Sequence, residues 1–323
     1  MPAASLVLLT GCATPQSTLW PQGPGAARIA ELWWLSFGIG TAIFLAMTGL
    51  ALSALLRARN EQTAGARPPV GAAWLIGLGG VALPAVVGLV LFTSTLQAMM
   101  LLSPPEPASA VTIEVTGHQW WWEVRYPEEQ VVTANEIHIP VGRPVRVDMT
   151  SADVIHSFWV PELHGKMDMI PGRTDVIWLQ TDVPGSYRGQ CAEFCGLQHA
   201  KMALYVVAEP PETFAAWLDQ QRQPAAEPTE PPAQRGRALA AGLCIQCHTI
   251  RTGDAAVGGS FGPDLTHVGS RRTLAAATLP NTREHLAEWL ADPQSSKPGN
   301  KMPNLQLDVE SVQALVAYLE SLR

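Results

Sequence analysis

Three kinds of pattern follow one another along the chain. Residues 31–56 and 70–102 are apolar and nearly free of charge. A helix needs about 20 such residues to cross a hydrocarbon layer about 30 Å thick, so each run predicts a membrane-spanning helix. Trp33 and Trp34 sit at one end of the first run, where interfacial aromatics belong. Gly79, Gly80 and Pro84 are tolerable in the second, because neighbouring groups can satisfy the backbone they free. From Val111 onward the pattern changes to short β-rich runs broken by Pro and Gly: 111–116, 120–126, 144–150, 175–180 and 202–208. Regular short strands with turn signals predict a β-sandwich. Residues 222–235 are rich in Pro and Glu, have no apolar periodicity, and read as a linker. Residues 236–323 end in a helical pattern that puts Val312, Leu315, Val316 and Leu319 on one face. The expected architecture is a two-helix transmembrane hairpin over 28–103, an all-β sandwich over 108–215, the linker, and an all-α domain over 236–323.

Composition agrees with that division. A chain of 323 residues suits two or three domains. With 47% hydrophobic and 15% charged residues it fits neither a wholly soluble enzyme nor a many-spanning transporter. Arg57, Arg59 and Arg67 lie between the two apolar runs, and only Arg28 precedes them. The positive-inside rule places that loop in the cytoplasm and everything after residue 103 on the periplasmic side. Residues 1–12 add a short apolar run ending in Leu9-Thr10-Gly11-Cys12. This resembles a bacterial lipobox, and the expectation is a lipoprotein signal with Cys12 lipidated, although no Lys or Arg precedes the run.

The other four of the five cysteines form two tight pairs, Cys191/Cys195 and Cys244/Cys247, each with a histidine close downstream. Disulfides do not call for nearby histidines; metals and covalent haem do. Residues 191–202 concentrate Cys191, Cys195, His199 and Met202, and His156 supplies a second imidazole from upstream. Soft thiolate and thioether donors select copper, with Met in a weak axial position. Zinc would take Cys and His but has no reason to recruit Met202. Two cysteines in place of one suggest two copper ions bridged by thiolates, with one histidine completing each. Sharing one electron over two metals leaves little geometry change on reduction.

Cys244-Ile245-Gln246-Cys247-His248 is the attachment pattern of c-type haem. The thiols add to the haem vinyls and His248 coordinates the iron. Met302, 54 residues further on and followed by Pro303, is the only methionine after the motif and the expected sixth ligand.

Asp153-Val154-Ile155-His156-Ser157, followed by Cys191-x-Glu193-x-Cys195-x3-His199-x2-Met202, resembles the dinuclear copper site of cytochrome c oxidase subunit II. The likeness spans 31–215 and implies a cupredoxin-like sandwich behind two membrane helices. It also implies the donor set His156, Cys191, the Glu193 carbonyl, Cys195, His199 and Met202. The Glu193 side chain would help bind Mg at the subunit I interface, where Pro171-Gly172-Arg173 would also lie. Gly117-His118-Gln119-Trp120-Trp121-Trp122 matches the family's aromatic segment and implies Trp121 as the surface entry point for electrons. Some relatives carry a proton-pathway glutamate where this chain has Gly71. With Gly262-Pro263-Asp264-Leu265, Met302 and the closing helix, residues 236–323 resemble a class I cytochrome c.

The expected function is therefore that of a haem–copper oxidase subunit II. It takes electrons from cytochrome c, soluble or membrane-bound, or from its own haem c, and passes them to haem a of subunit I. Subunit I, subunit III and membrane lipid are the expected partners; nucleic acid is not. The alternative is the copper–haem subunit of a related nitric oxide reductase. Residues 111–213 hold 14 acidic and 7 basic side chains, a field that would steer a basic donor, whereas 236–323 hold 8 of each. A 14-residue Pro-rich linker reaches on the order of 40 Å, enough for the haem domain to swing onto the Trp121 face.

Overall fold

A computed structural model describes residues 15–60, 74, 76–102, 111–253 and 255–323. The expectations for residues 1–12, Gly71 and Arg67 lie outside the described residues.

Two units are present, residues 27–105 and a second made of residues 1–26 with 106–323. In the first, helix α1 spans Pro24–Asn60, and α2 spans Leu83–Leu102 after one stretch of π-helix over Ile76–Ala82. The stretches Pro24–Arg57 and Ile76–Leu102, of 34 and 27 residues, are long and apolar enough to cross a membrane. The wide π turns coincide with Gly79-Gly80, where small residues loosen the helical ladder. Ser36, Ser53 and Thr93 return their hydroxyls to carbonyls one turn back, so these polar groups add no unmet bond to an apolar helix.

In the second unit ten strands, among them β3 (Val131–Ala134), β4 (Glu136–Pro140), β6 (His156–Trp159), β7 (Met167–Met169) and β9 (Gly185–Cys191), build two five-stranded sheets, in the orders β3-β2-β1-β5-β8 and β4-β10-β9-β6-β7. Strands β1 (Val111–His118), β2 (Trp121–Tyr126), β5 (Val145–Ser151), β8 (Asp175–Leu179) and β10 (Ala203–Glu209) fall within two residues of the predicted runs. The alternation that predicts them is also their burial pattern. Val145, Val147 and Met149 of β5 face inward, while Arg146, Asp148 and Thr150 do not. Beside it, β1 turns Ile113 and Val115 into the same core. Trp122, Phe158 and Tyr126 are its largest fully buried side chains. Helix α3 (Pro211–Arg222) closes one end with Phe214 and Leu218.

The C-terminal domain has its own core, formed where α4 (Pro231–Leu243), α5 (Arg283–Ala291) and, after the single turn α6 (Pro293–Ser296), α7 (Val309–Ser321) meet. The predicted face of α7 is its buried face, Val312, Leu315, Val316 and Leu319. Gly236 lets α4 approach α7 closely, since a Cβ there would stand 2.0 Å from the Ala314 carbonyl oxygen. Two short ribbons, Thr249–Thr252 with Ala255–Gly258 and Thr273–Leu274 with Leu279–Pro280, are added to the helices.

The predicted linker is irregular only over residues 223–230, because Pro231 begins α4. Nor is its first part free. The Arg251 guanidinium donates to the carbonyls of Gln221, Arg222 and Gln223, His267 Nε2 donates to Gln223, and Ala225 is buried in the C-terminal core.

Candidate metal centres

The sandwich brings all the predicted copper donors to one end. His156 opens β6 (His156–Trp159) and Cys191 closes β9 (Gly185–Cys191), two strands that pair directly. Cys195 and His199 lie in the following loop, and Met202 immediately precedes β10. Main-chain bonds fix that loop: Cys191 N–H donates to Met202 O at 2.9 Å, and Ala192 N–H to Ser157 O at 2.9 Å. Gly196, at φ +112°, makes the turn that a side chain would resist; a Cβ there would also press on Trp120.

The two thiol sulfurs stand 3.7 Å apart, well beyond the about 2.05 Å of a disulfide. Each has an imidazole beside it: His156 Nδ1 is 3.9 Å from Cys191 Sγ, and His199 Nδ1 is 3.6 Å from Cys195 Sγ. At the flanks, Glu193 O lies 3.2 Å from Cys191 Sγ and Met202 Sδ lies 3.8 Å from Cys195 Sγ. His156, Cys191 and Cys195 could hold one ion, their donor atoms all within 4.8 Å of one another. His156, Met202 and both thiols are buried, which keeps water from competing. This soft set of S and N donors fits copper chemistry.

Residues around the donors set their orientation and charge. Asp153 Oδ1 accepts from His156 Nε2 at 2.9 Å, which leaves Nδ1 turned toward Cys191. Burial works against the Asp153 carboxylate, but hydrogen bonds from His156, Gln119 and Val154 hold it below the usual range. Burial also opposes His156, whose bonds to Cys191 and Asp153 nonetheless raise it. The contact between the two sulfurs lowers the Cys191 thiol and raises that of Cys195. Gln119 Nε2 and Trp120 Nε1 both donate to the Cys195 carbonyl, at 2.8 and 2.9 Å. Gly117 leaves room for the His156 ring, since a Cβ would come within 2.8 Å of it. Sequence reasoning missed these supporting roles of Gly117, Gln119, Trp120 and Asp153. The only signal was that each stands beside a residue already singled out.

Trp121 is not at the surface. It is 8% exposed, stacks on His118 at 4.4 Å, and packs against Ala134 and Ala276. Ala276 belongs to the C-terminal domain, which is seated on this face of the sandwich. Trp120 and Trp122 are buried as well.

In the C-terminal domain Cys244 caps α4, with its N–H donating to Ala240 O. Cys247 and His248 follow in a tight turn closed on Cys244 O. His248 Nδ1 donates to Pro263 O at 2.7 Å, because that oxygen can only accept; Nε2 is left with its lone pair. Burial lowers His248, which keeps the ring neutral. Gly262 lies flat against the ring, where a Cβ would come within 2.5 Å. Burial pushes the Cys244 thiol up to about 11. Met302 packs on the domain core, its loop held by Gln294 Nε2 bonding Met302 O at 2.8 Å. A neutral imidazole with a free Nε2, two unpaired thiols in the same turn, and a thioether in a loop of its own fit c-type haem.

Comparison with known proteins follows the same division. Residues 129–209 match the family model of the cytochrome c oxidase subunit II periplasmic domain, and residues 233–323 match that of cytochrome c. Cytochrome c oxidase subunit 2 of Alkalihalophilus pseudofirmus is 34% identical, over 100% of this chain and 96% of its own. The chain belongs to the cytochrome c oxidase subunit 2 family. The Bacillus subtilis subunit 2 is 27% identical over 98% of this chain and 95% of its own. The periplasmic domain of subunit II from Bradyrhizobium japonicum shares 33% identity over 36% of this chain and 96% of its own, with a TM-score of 0.35. Membership makes this chain a component of a haem–copper oxidase, with copper and haem c as its cofactors. A subunit I and a cytochrome c donor come with that role, and the apolar helices with a membrane protein bearing a periplasmic domain.

Proposed function

We propose that this subunit relays single electrons from its C-terminal haem c domain through the copper domain toward haem a of subunit I, where oxygen is reduced. The observation that carries the reading is the pair of buried sulfurs 3.7 Å apart, each with its own imidazole nitrogen. Cys191 and Cys195, with His156, His199, Met202 and the Glu193 carbonyl, would hold two copper ions. Cys244 and Cys247 would carry the haem, with His248 and Met302 on its iron. Bound there, both groups supply reversible one-electron chemistry.

The chain's own residues make that chemistry specific. Asp153 aims the His156 donor nitrogen, and the Pro263 carbonyl aims that of His248. Gln119 and Trp120 fix the Cys195 main chain. Trp121, pressed on Ala276, places an aromatic ring at the junction of the two domains and is the entry point for electrons. The Glu193 side chain and Gly172-Arg173 are exposed, as contact with subunit I through Mg would require. The 57–67 loop is cytoplasmic and both metal domains are periplasmic, in a bacterial inner membrane, with subunit III and lipid as further neighbours.

Electron paramagnetic resonance of the purified complex tests the centre. Hyperfine coupling to two equivalent coppers is expected. A four-line, single-copper spectrum from the intact site would overturn the assignment.

A further inference from the structure

A lysine is rarely buried without a carboxylate, because stripping water from an ammonium is costly. Lys297 is 3% exposed. Its Nζ donates to Trp120 O at 3.1 Å and to Ala275 O at 3.2 Å, and among the described residues no carboxylate pairs with it. Those two carbonyls belong to different domains. We propose that Lys297 is a positioning residue, clamping the loop that carries Met302 onto the β1–β2 turn, whose Trp120 in turn holds the Cys195 carbonyl, so that the C-terminal domain is docked and not merely tethered. The roles of Met302 and the copper donors in this statement rest on the proposed function; the clamp itself does not.

Several independent features converge on the same junction. Ala275, Ala276 and Ala277 all have φ between 53° and 57°, a left-handed turn that costs an alanine about 1 kcal/mol or more per residue. Such a turn persists only where its surroundings fix it, and here it delivers Ala276 to Trp121. The Ala276 carbonyl also accepts from Ala203 N–H at 3.1 Å, one residue past Met202. Residues 296–299, just ahead of Met302, meet residues 197–201, which lie among the copper donors. Lys201 Nζ donates to Ser296 O, Gln198 Nε2 donates to Pro298 O, and Gly299 stands against Leu197. On the far side of the contact the Glu136 carboxylate accepts from the Arg272 and Thr273 amides. Burial, with Lys201 nearby, pushes the Lys297 amine down to about 7. Either protonation form keeps the two N–H groups that the two carbonyls require.

The wild-type complex gives the first test, without any variant having to fold. Lys301, whose side chain is 61% exposed, is the internal standard for brief amine acylation read by mass spectrometry. Lys297 should react slower by about tenfold or more; equal reactivity would mean that it is not enclosed. Lys297→Met then removes the donors at nearly constant bulk. Hydrogen exchange at the Ala203 amide should accelerate by about tenfold or more, as for losing two hydrogen bonds from one group. Pulsed dipolar spectroscopy between oxidised copper and haem c should give one narrow separation in the wild type and a broad spread in the variant. Unchanged exchange in the variant, or a broad spread in the wild type, overturns the clamp. Copper and haem spectra from the same samples report separately on the donor assignments, so failure of those assignments would be seen as such.

Discussion

The donors of the sandwich and those of the C-terminal domain are held in different ways. Every sandwich donor sits at a strand end or in a loop stitched to strands, and His156, Cys191, Cys195 and Met202 are buried. In the C-terminal domain Cys247 is exposed, Cys244 and Met302 are half-buried, and His248 is oriented by one carbonyl. Nearby in sequence, the apolar Leu243, Val257 and Phe261 are exposed as well. The sandwich therefore builds its site from its own fold. The C-terminal domain would draw part of its fold from a haem held by Cys244 and Cys247. A metal relay would tolerate this asymmetry, because covalent attachment would make the haem a permanent part of its domain.

The largest effect should come from removing that attachment. In a Cys244→Ser/Cys247→Ser variant residues 231–323 should lose their cooperative melting transition, which for a domain of this size is on the order of 5–10 kcal/mol. The sandwich transition and its copper spectrum should persist. Calorimetry on the purified complex checks it, and an unchanged C-terminal transition would show that this domain, too, is preformed.

A change on the sandwich side should cost chemistry more than fold. Cys195→Ser should drop bound copper from two ions to one and change the resonance spectrum accordingly. Stability should fall by only about 1–3 kcal/mol, since Gln119 and Trp120 hold the Cys195 carbonyl and not its sulfur. Metal analysis beside thermal unfolding separates the two outcomes. Retention of both coppers would remove the bridging role.

Met202→Leu is smaller still. The swap nearly conserves volume and should cost less than about 1.5 kcal/mol. An axial thioether is a weak ligand, so copper should remain while its reduction potential shifts. Loss of copper in a redox titration sample would make Met202 a primary ligand instead.

Much of this was legible in the sequence because the informative spacings are short. The donors from Cys191 to Met202 fall within one loop, the α7 face repeats every three or four residues, and the strand alternation reappears as burial. What stayed hidden depends on residues far apart in the chain. Nothing near Trp121 says that Ala276 will cover it. The Pro- and Glu-rich stretch after Arg222 reads as free because Arg251, which binds its carbonyls, lies 28 to 30 residues away. Lys297 looks like any solvated lysine until Trp120 O and Ala275 O are brought to it. Composition suggests a long tether; the contacts of Lys297, Ala276 and Glu136 across the two domains are what it does not show.

The smallest predicted effect crosses between the two regions. His138, in β4 (Glu136–Pro140), stacks on Trp217 of α3 at 4.0 Å and is hydrogen-bonded by Glu209 at 3.1 Å. Glu136 Oε2 lies 3.9 Å from its other nitrogen, while Glu136 Oε1 accepts from the Arg272 amide of the C-terminal domain. Arg271 and Arg272 line the same small cavity. Burial works to lower the imidazole, but Glu136 and Glu209 overcome it and raise His138 above its ordinary value of 6.5. A group raised on folding contributes stability that is full below its unfolded value and is lost as pH rises through its folded value. The unfolding temperature should therefore decline with rising pH from near 6.5 upward. In His138→Gln the stacking on Trp217 is lost, at about 1 kcal/mol, and the slope should flatten. If the variant keeps the wild-type slope, another group titrates there. If the decline appears in the C-terminal transition as well as in the sandwich, Glu136 links the two, and the contrast between a self-built domain and a cofactor-built one stops at their shared edge.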